Sequence, residues 1–194
     1  MSLELIGNRI SLVSLESEHL DALALFSTDP EIWKFLSVSL NSREDVDQWY
    51  EEAKAAETQG KVIPFVIKEN KTAEIIGSTR LFDVDIKHKT AEMGWTWLDP
   101  KFFGQKINLE AKLLLLTYSF ETLYLNRVQF KTDITNIRSQ KALQKIGAKL
   151  EGTLRSYRIR RNGSLGDSLV YSIIISEWLE IKESIIKKLE KNFV

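Results

Sequence analysis

The strongest constraint on this chain is where the spacing of its apolar residues changes. From Val62 the period drops to two over Val62 to Lys68, Ala73 to Phe82 and Thr90 to Leu98, and Glu69-Asn70-Lys71 supplies a turn between the first two segments. Three successive strands in a meander are expected. The period then lengthens. Ile107 to Leu123 reads as a strongly apolar helix, Arg127 to Thr132 as a short strand, and Asn136 to Ile146 as a helix stopped by Gly147. Leu150 to Arg160 and Ser168 to Ile175 alternate across Asn162-Gly163, and a last amphipathic helix runs from Glu177 into Phe193. Ahead of the meander, Leu3 to Leu15 fits a strand pair or bent strand, and His19 to Phe26 keeps a helical period behind Ser17. Thr28-Asp29-Pro30 opens a short helix carrying Ile32, Trp33 and Phe35, and Ser42 with Asp45 caps another marked by Val46, Trp49, Tyr50 and Ala53. The order β, αα, βββ, α, β, α, ββ, α specifies an α/β fold with a mixed sheet flanked by helices.

Hydrophobic residues make up 43% of the 194, enough for a sizeable core, and with only 3 Pro and no low-complexity stretch the expectation is one domain over residues 1–194. Lys plus Arg number 27 and Asp plus Glu number 27, so no global field draws the chain to nucleic acid or anionic lipid. With Cys 0 there is no cysteine nucleophile, thiolate metal site or disulfide, which suits a cytoplasmic setting. The residues before Ile10 lack the basic and apolar regions of a secretory signal. The longest apolar stretch, Leu113 to Phe120, is broken by Thr117 and Ser119, far short of the roughly 20 residues of a membrane span, so no membrane partner is expected. His19 and His88 lack metal-ligand spacing, and no metal is expected.

The chemistry is concentrated at the passage from strand to long helix, Asp99-Pro100-Lys101-Phe102-Phe103-Gly104-Gln105-Lys106-Ile107-Asn108. A loop entering a helix leaves backbone N–H groups unpaired, and with the helix dipole these form an anion site fit for a pyrophosphate. An ordinary strand-to-helix turn has the same outline. The segments around it add weight: Glu92-Met93-Gly94-Trp95-Thr96-Trp97-Leu98 before, and Asn136-Ile137-Arg138-Ser139 with Lys145-Ile146-Gly147-Ala148 after. Together they resemble the GCN5-related N-acetyltransferases, and most closely the RimJ/RimL-type branch of ribosomal-protein N-terminal acetyltransferases, from about Leu3 to Trp178.

The resemblance implies an acyl-CoA N-acyltransferase fold, with a mostly antiparallel sheet that splays where the pantetheine arm of acetyl-CoA adds to a strand edge. Gly104, Gln105, Lys106, Ile107 and Asn108 would hold the pyrophosphate, and the backbone of Trp97 and Leu98 the arm. The family pattern is Arg or Gln, two residues, Gly, one residue, then Gly or Ala, where this chain has Phe103, Lys106 and Asn108. Lys106 could supply a cation there and Asn108 an amide.

The implied reaction is attack of a neutral amine on the thioester, stabilisation of an oxyanion, and departure of the CoA thiolate. Deprotonating a lysine at neutral pH costs roughly 4.6 kcal/mol and an α-amine only about 1, so an N-terminal substrate needs less of a base. By resemblance, Ser139 protonates the thiolate and Asn136 holds the pantetheine or orders the loop; taken alone, the pair reads as an exposed serine beside a helix cap. Glu92 is the candidate base, with a solvated strand residue or an ion-pair partner as its alternative, and a backbone N–H near Trp97 is the candidate oxyanion donor. Trp33, Phe35 and Trp49 are expected in the core.

The expected function is therefore acetyl transfer from acetyl-CoA to a primary amine, a protein N-terminus or a small amine. A catalytically silent acyl-CoA-binding or regulatory module on the same fold is the alternative raised by Phe103, Lys106 and Asn108. Arg155, Arg158, Arg160 and Arg161 read first as a solvated face; they would otherwise receive an acidic substrate or the CoA 3′-phosphate, or serve a third reading, contact with RNA. A homodimer using Tyr171, Ile173, Ile174 and Ile175 is possible, and a core face accounts for them equally well.

Overall fold

The computed structural model describes residues 3–36 and 38–191, which form one eight-stranded sheet in the order β1-β2-β3-β4-β5-β6-β8-β7. The strands are β1 (Glu4–Ile6), β2 (Ile10–Ser14), β3 (Val62–Glu69), β4 (Ile75–Asp85), β5 (Thr90–Leu98), β6 (Arg127–Asp133), β7 (Lys149–Ile159) and β8 (Leu165–Ile174). The helices are α1 (Leu20–Ser27), α2 (Pro30–Trp33), α3 (Arg43–Thr58), α4 (Ile107–Thr117), α5 (Ile137–Lys145) and α6 (Ile175–Glu190). Strands joined by turns pair antiparallel, and the sole parallel pair among the described residues is β5 with β6, because α4 carries the chain back between them.

Each face of the sheet is covered because its alternate residues are apolar. On one face Ala91, Met93, Leu98, Val128 and Phe130 pack with Ile107, Leu115 and Leu116 of α4 and Trp178 and Ile185 of α6. On the other, Val66 and Trp97 meet Leu23, Trp33, Val46 and Trp49 from α1 to α3. Trp97 is the hub of that layer, its ring 5.6 Å from Phe26, 5.1 Å from Trp33 and 5.7 Å from Trp49. Local signals in the sequence do their expected jobs. Ser42 Oγ accepts from Asp45 N, the Asp29 carboxylate accepts from Glu31 N ahead of Pro30, and Gly147 takes φ +86° past the end of α5.

Several details differ from the sequence reading, among them the strand read as Ala73 to Phe82, which is β4 over Ile75–Asp85, Ala73 lying in the turn at φ +60°. The helix read as running to Leu123 is α-helical only to Thr117 and widens to a π-turn over Tyr118–Thr122, where Ser119 Oγ donates to the Leu115 carbonyl. Strand β8 begins at Leu165, before the predicted Ser168, since Gly166 and Asp167 hide its alternation. The last helix starts at Ile175 and is helical to Glu190, while Phe193 lies outside the described residues. Of the residues named for a dimer, Tyr171 and Ile173 are core, and Ile174 and Ile175 are partly exposed.

Candidate active site

Pairing of β5 with β6 spans only Thr90–Glu92 against Arg127–Gln129, while β5 stays bonded to β4 as far as Leu98. Beyond Glu92 the two strands part, and the edge of β5 facing β6 is left outside the ladder. A cleft of about 400 Å³ fills the gap, walled by Met93 to Leu98, the Phe102–Asn108 loop, Phe130 to Asp133, and Asn136, Arg138 and Ser139 of α5. A β-bulge sharpens this edge: Ser78 pairs Trp97 and Arg80 pairs Gly94, so β5 spends one extra residue, and Trp95 takes φ +52°. Nine of the ten residues singled out from the sequence line the cleft: Trp97, Leu98, Gly104, Gln105, Lys106, Ile107, Asn108, Asn136 and Ser139.

The loop at the cleft mouth is built on two left-handed residues, Gly104 at φ +77° and Lys106 at φ +62°. Glycine takes that conformation freely, whereas lysine does so at a cost, which is the physical reason for a glycine at the second place in the family pattern. Lys106 is held by its side chain, whose Nζ donates to the carbonyls of Leu189 and Lys191 at the end of α6. The cationic contact expected of Lys106 is thus spent on α6, leaving its backbone to the loop. Gln105 Oε1 accepts from Arg9, and Gln105 Nε2 donates to the Lys101 carbonyl at 2.7 Å, so this side chain braces the turn. Leu109 N and Glu110 N bond the Lys106 carbonyl, and among the described residues the Ile107 and Asn108 amides head the helix with no carbonyl in the turn before them. Asn108 Oδ1 is buried without a partner among the described residues.

Sequence reasoning passed over three cations of the cleft wall. Arg138 lays its guanidinium 4.6 Å from the Phe103 ring centre, which brings a cation from α5 to the loop position where the family pattern has Arg or Gln. Its place inside the quoted Asn136-Ile137-Arg138-Ser139 was a usable signal. Lys112 lies four residues after Asn108 and so on the same helix face, a spacing visible in the sequence. Lys131 on β6 is the third. An anion-receiving helix end, an unpartnered buried amide oxygen and a cationic wall fit a ligand with a diphosphate and a polar arm, which is the chemistry of an acyl-CoA.

Glu92 is the tenth residue, and it lies behind the wall. Its Oε2 accepts from Lys131 Nζ at 2.6 Å and from Gln129 Nε2 at 3.0 Å, and Lys131 Nζ also donates to Tyr157 Oη at 3.0 Å. Burial pushes the Glu92 carboxyl above the usual range and outweighs Lys131 and Gln129, which pull it down. The ion-pair role is therefore real, and Lys131 is the member that reaches the cleft.

Asn136 caps α5, its Oδ1 accepting from Ser139 N at 3.0 Å. Ser139 Oγ is half-buried on the cleft wall and makes no hydrogen bond among the described residues. The turn ahead of them is fixed by Asp133, which accepts from Arg160 Nε at 2.8 Å and from Thr135 N and Oγ1. Burial raises the Asp133 carboxyl, but Arg160 and Thr135 prevail and hold it down at about 2. The arginine strand is thus partly committed: Arg160 to Asp133, and Arg158 to Ser168 Oγ at 2.9 Å. Trp33 and Trp49 are core as expected, whereas Phe35 lines the cleft beside Ile32 and Leu36. Among the described residues no cluster of metal-ligating side chains occurs, and no helix is long and apolar enough to cross a membrane.

A sheet parted at its parallel pair, with a helix N-terminus at the mouth of the gap, defines an acyl-CoA N-acyltransferase fold. The sequence profile of the acetyltransferase (GNAT) domain matches residues 9–149. The chain belongs to the GNAT family of acetyltransferases and is an N-acetyltransferase enzyme. The uncharacterized N-acetyltransferase p20 of Bacillus licheniformis is 29% identical over 178 residues, covering 90% of this chain and 97% of the relative. A GCN5-related N-acetyltransferase from Brucella melitensis superposes with a TM-score of 0.90 at 21% identity, over 99% of this chain and 88% of that one. RimL, a ribosomal L7/L12 α-N-protein acetyltransferase, superposes with a TM-score of 0.81 at 21% identity, over 90% and 96% of the two chains.

Proposed function

We propose that the chain transfers an acetyl group from acetyl-CoA to a primary amine, a protein N-terminus or a small amine. The observation that carries this reading is the cleft itself: β5 offers an unpaired edge, α4 points its N-terminus at the mouth, and the wall bears unspent polar groups. Acetyl-CoA, when bound, supplies an acyl group activated as a thioester. Gly104 to Asn108 hold its diphosphate through backbone N–H groups, aided by the Arg138 guanidinium on Phe103. The backbone of Trp97 and Leu98 holds the arm, and their side chains, buried on opposite faces of the sheet, fix that edge. Ser139 Oγ gives a proton to the departing sulfur, and the cap from Asn136 keeps Ser139 facing the cleft.

Glu92 is the base on this reading, and because Lys131 stands on the cleft side of it the amine proton reaches it through water. A carboxyl already raised by burial is better suited to accept a proton near neutrality than an ordinary one. Activity should then fall as pH drops through the raised Glu92 pKa. In Glu92→Gln turnover should fall about 100-fold and the acid limb should lose the Glu92 titration, keeping only that of the substrate amine. A rate profile of the variant that superimposes on the parent would remove Glu92 from the role.

The choice between protein N-termini and small amines rests on deprotonation cost, which favours α-amines, and on the name of RimL, whose stated substrate is an α-amine of a ribosomal protein. The deciding experiment is a screen of amines and N-terminal peptides for CoA release. Transfer to at least one class supports the enzyme reading, whereas acetyl-CoA binding with no turnover on a broad panel establishes the silent module.

A further inference from the structure

Lys112 lines the cleft from the second turn of α4 and is only 8% exposed. Among the described residues it makes no hydrogen bond or ion pair, and its one polar contact is the face of the Phe130 ring, 5.4 Å from Nζ to the centroid. Of the other charged groups on the cleft wall or beside it on α4, Lys145 is exposed to solvent and the rest have partners. Lys131 pairs with Glu92, Asp133 with Arg160, Arg158 bonds Ser168, Arg138 stacks on Phe103, and Glu110 accepts from Arg9 N. A desolvated ammonium without an anion is costly to keep, so its natural complement is a negative atom delivered by a ligand.

Its place along the cleft says which atom. Phe130 is the first residue of β6 beyond the ladder, which ends at Gln129, and Met93 is the first of β5 beyond Glu92. The Lys112 ammonium, over the Phe130 ring, therefore lies where the strands begin to part, roughly one to two helical turns inward of the mouth at the α4 N-terminus. The acyl-CoA reading puts the diphosphate at the mouth and sends the sulfur end inward, and the present inference rests on that reading. The acetyl group and the amides of the arm carry no charge. Two atoms in that part of the ligand become anionic, the acyl oxygen on addition and the sulfur on departure; the first is assigned to a backbone N–H near Trp97, which leaves the sulfur for Lys112.

We propose that the Lys112 ammonium is the counter-ion of the CoA sulfur, holding it as thiolate when the acyl group leaves. In the transfer the acceptor nitrogen bonds the acyl carbon, the C–S bond breaks with its electron pair on sulfur, and the nitrogen's proton passes towards Glu92. Lys112 contributes charge and exchanges no bond, and Ser139 then protonates the sulfur and regains its own proton from solvent. Burial pulls the Lys112 ammonium down only to about 8, so the cation is in place at neutral pH before any anion arrives.

The test uses the full chain with CoA, with desulfo-CoA, and with Lys112→Met as the comparison. Thiolate ultraviolet absorbance of the bound CoA is followed against pH, and both ligands are titrated by calorimetry. In the parent the bound thiol should ionise at least one pH unit below free CoA, and in Lys112→Met it should return to the free value. The variant's loss of CoA affinity should be small where the thiol is protonated and grow towards about tenfold, one pKa unit of interaction, as pH rises past the free thiol's pKa, while its desulfo-CoA affinity stays within about twofold throughout. Methionine has a similar volume and no charge to bury, so the variant should fold, and Lys112→Gln serves if it does not. Superimposable thiol titrations of parent and variant would overturn the inference and leave the acyl-CoA reading standing. A parent that binds neither ligand would overturn both.

Discussion

Gly77→Ala should lower the unfolding free energy by about 3 kcal/mol and, in the fraction that folds, abolish measurable acetyl-CoA binding. Gly77 lies on β4 opposite Leu98, on the bonded side of β5. A Cβ there would meet the Trp97 carbonyl oxygen, Leu98 Cδ2 at 2.8 Å and Leu98 Cα at 3.1 Å. Two of these are main-chain atoms of the neighbouring strand, so no side-chain rotation relieves the contact. The strand itself must move, and the direction open to it is away from β4, into the cleft. The displaced segment is the Trp97–Leu98 edge assigned to the donor arm, which ties the stability loss to the loss of binding. At about 2–4 °C per kcal/mol for a chain of this size, thermal unfolding should drop by roughly 6–12 °C. Gly152→Ala is the control, because nothing lies within 4 Å of its added Cβ. Equal melting temperatures for parent and Gly77→Ala, with unchanged acetyl-CoA titrations, would show that the β5 edge does not depend on this close approach.

The same edge marks how far sequence reasoning reaches. Period-two spacing locates β5 as Thr90–Leu98 to the residue, because apolar alternation there is set by burial on both faces. The loop at 104–108 is legible from a glycine ahead of a long apolar helix, a local signal for a local structure. What escapes is anything decided by elements distant in the chain. That Lys106 would turn its side chain to α6 depends on where Leu189 and Lys191 end up, about eighty residues away. That Glu92 would be screened from the cleft by Lys131 depends on the parallel register Glu92 to Gln129, which alternation cannot supply. The Trp95 bulge is invisible for another reason: a tryptophan at positive φ contradicts local preference, and such positions are held by surrounding packing. Asn136 carries two compatible signals, helix cap and site residue, and the fold makes it the cap while leaving it on the cleft wall.

Ser139→Ala should reduce turnover by about 100-fold or more while leaving acetyl-CoA affinity within about twofold. The selectivity follows from how the residue is held. The contact that fixes it is made by its backbone, Ser139 N donating to Asn136 Oδ1 at 3.0 Å, and alanine keeps that bond. Alanine is also the better helix former, so α5 should lose no stability. Only the hydroxyl is removed, half-buried, facing the cleft, and sitting in the first turn of α5, where the helix dipole favours release of its proton. A proton donor matters in proportion to how poor the leaving group is. The defect should therefore shrink towards unity when the donor is an acetyl thioester of an aryl thiol, which departs as a stable anion without protonation. A residue that merely shaped the pocket would show the same defect with both donors. If Ser139→Ala instead turns over acetyl-CoA within about twofold of the parent, the sulfur is protonated by solvent or needs no proton while Lys112 holds its charge. A double-mutant cycle of Ser139→Ala and Lys112→Met then decides whether the two groups share a target: their effects on turnover should be non-additive if both act on the same sulfur and additive if they do not.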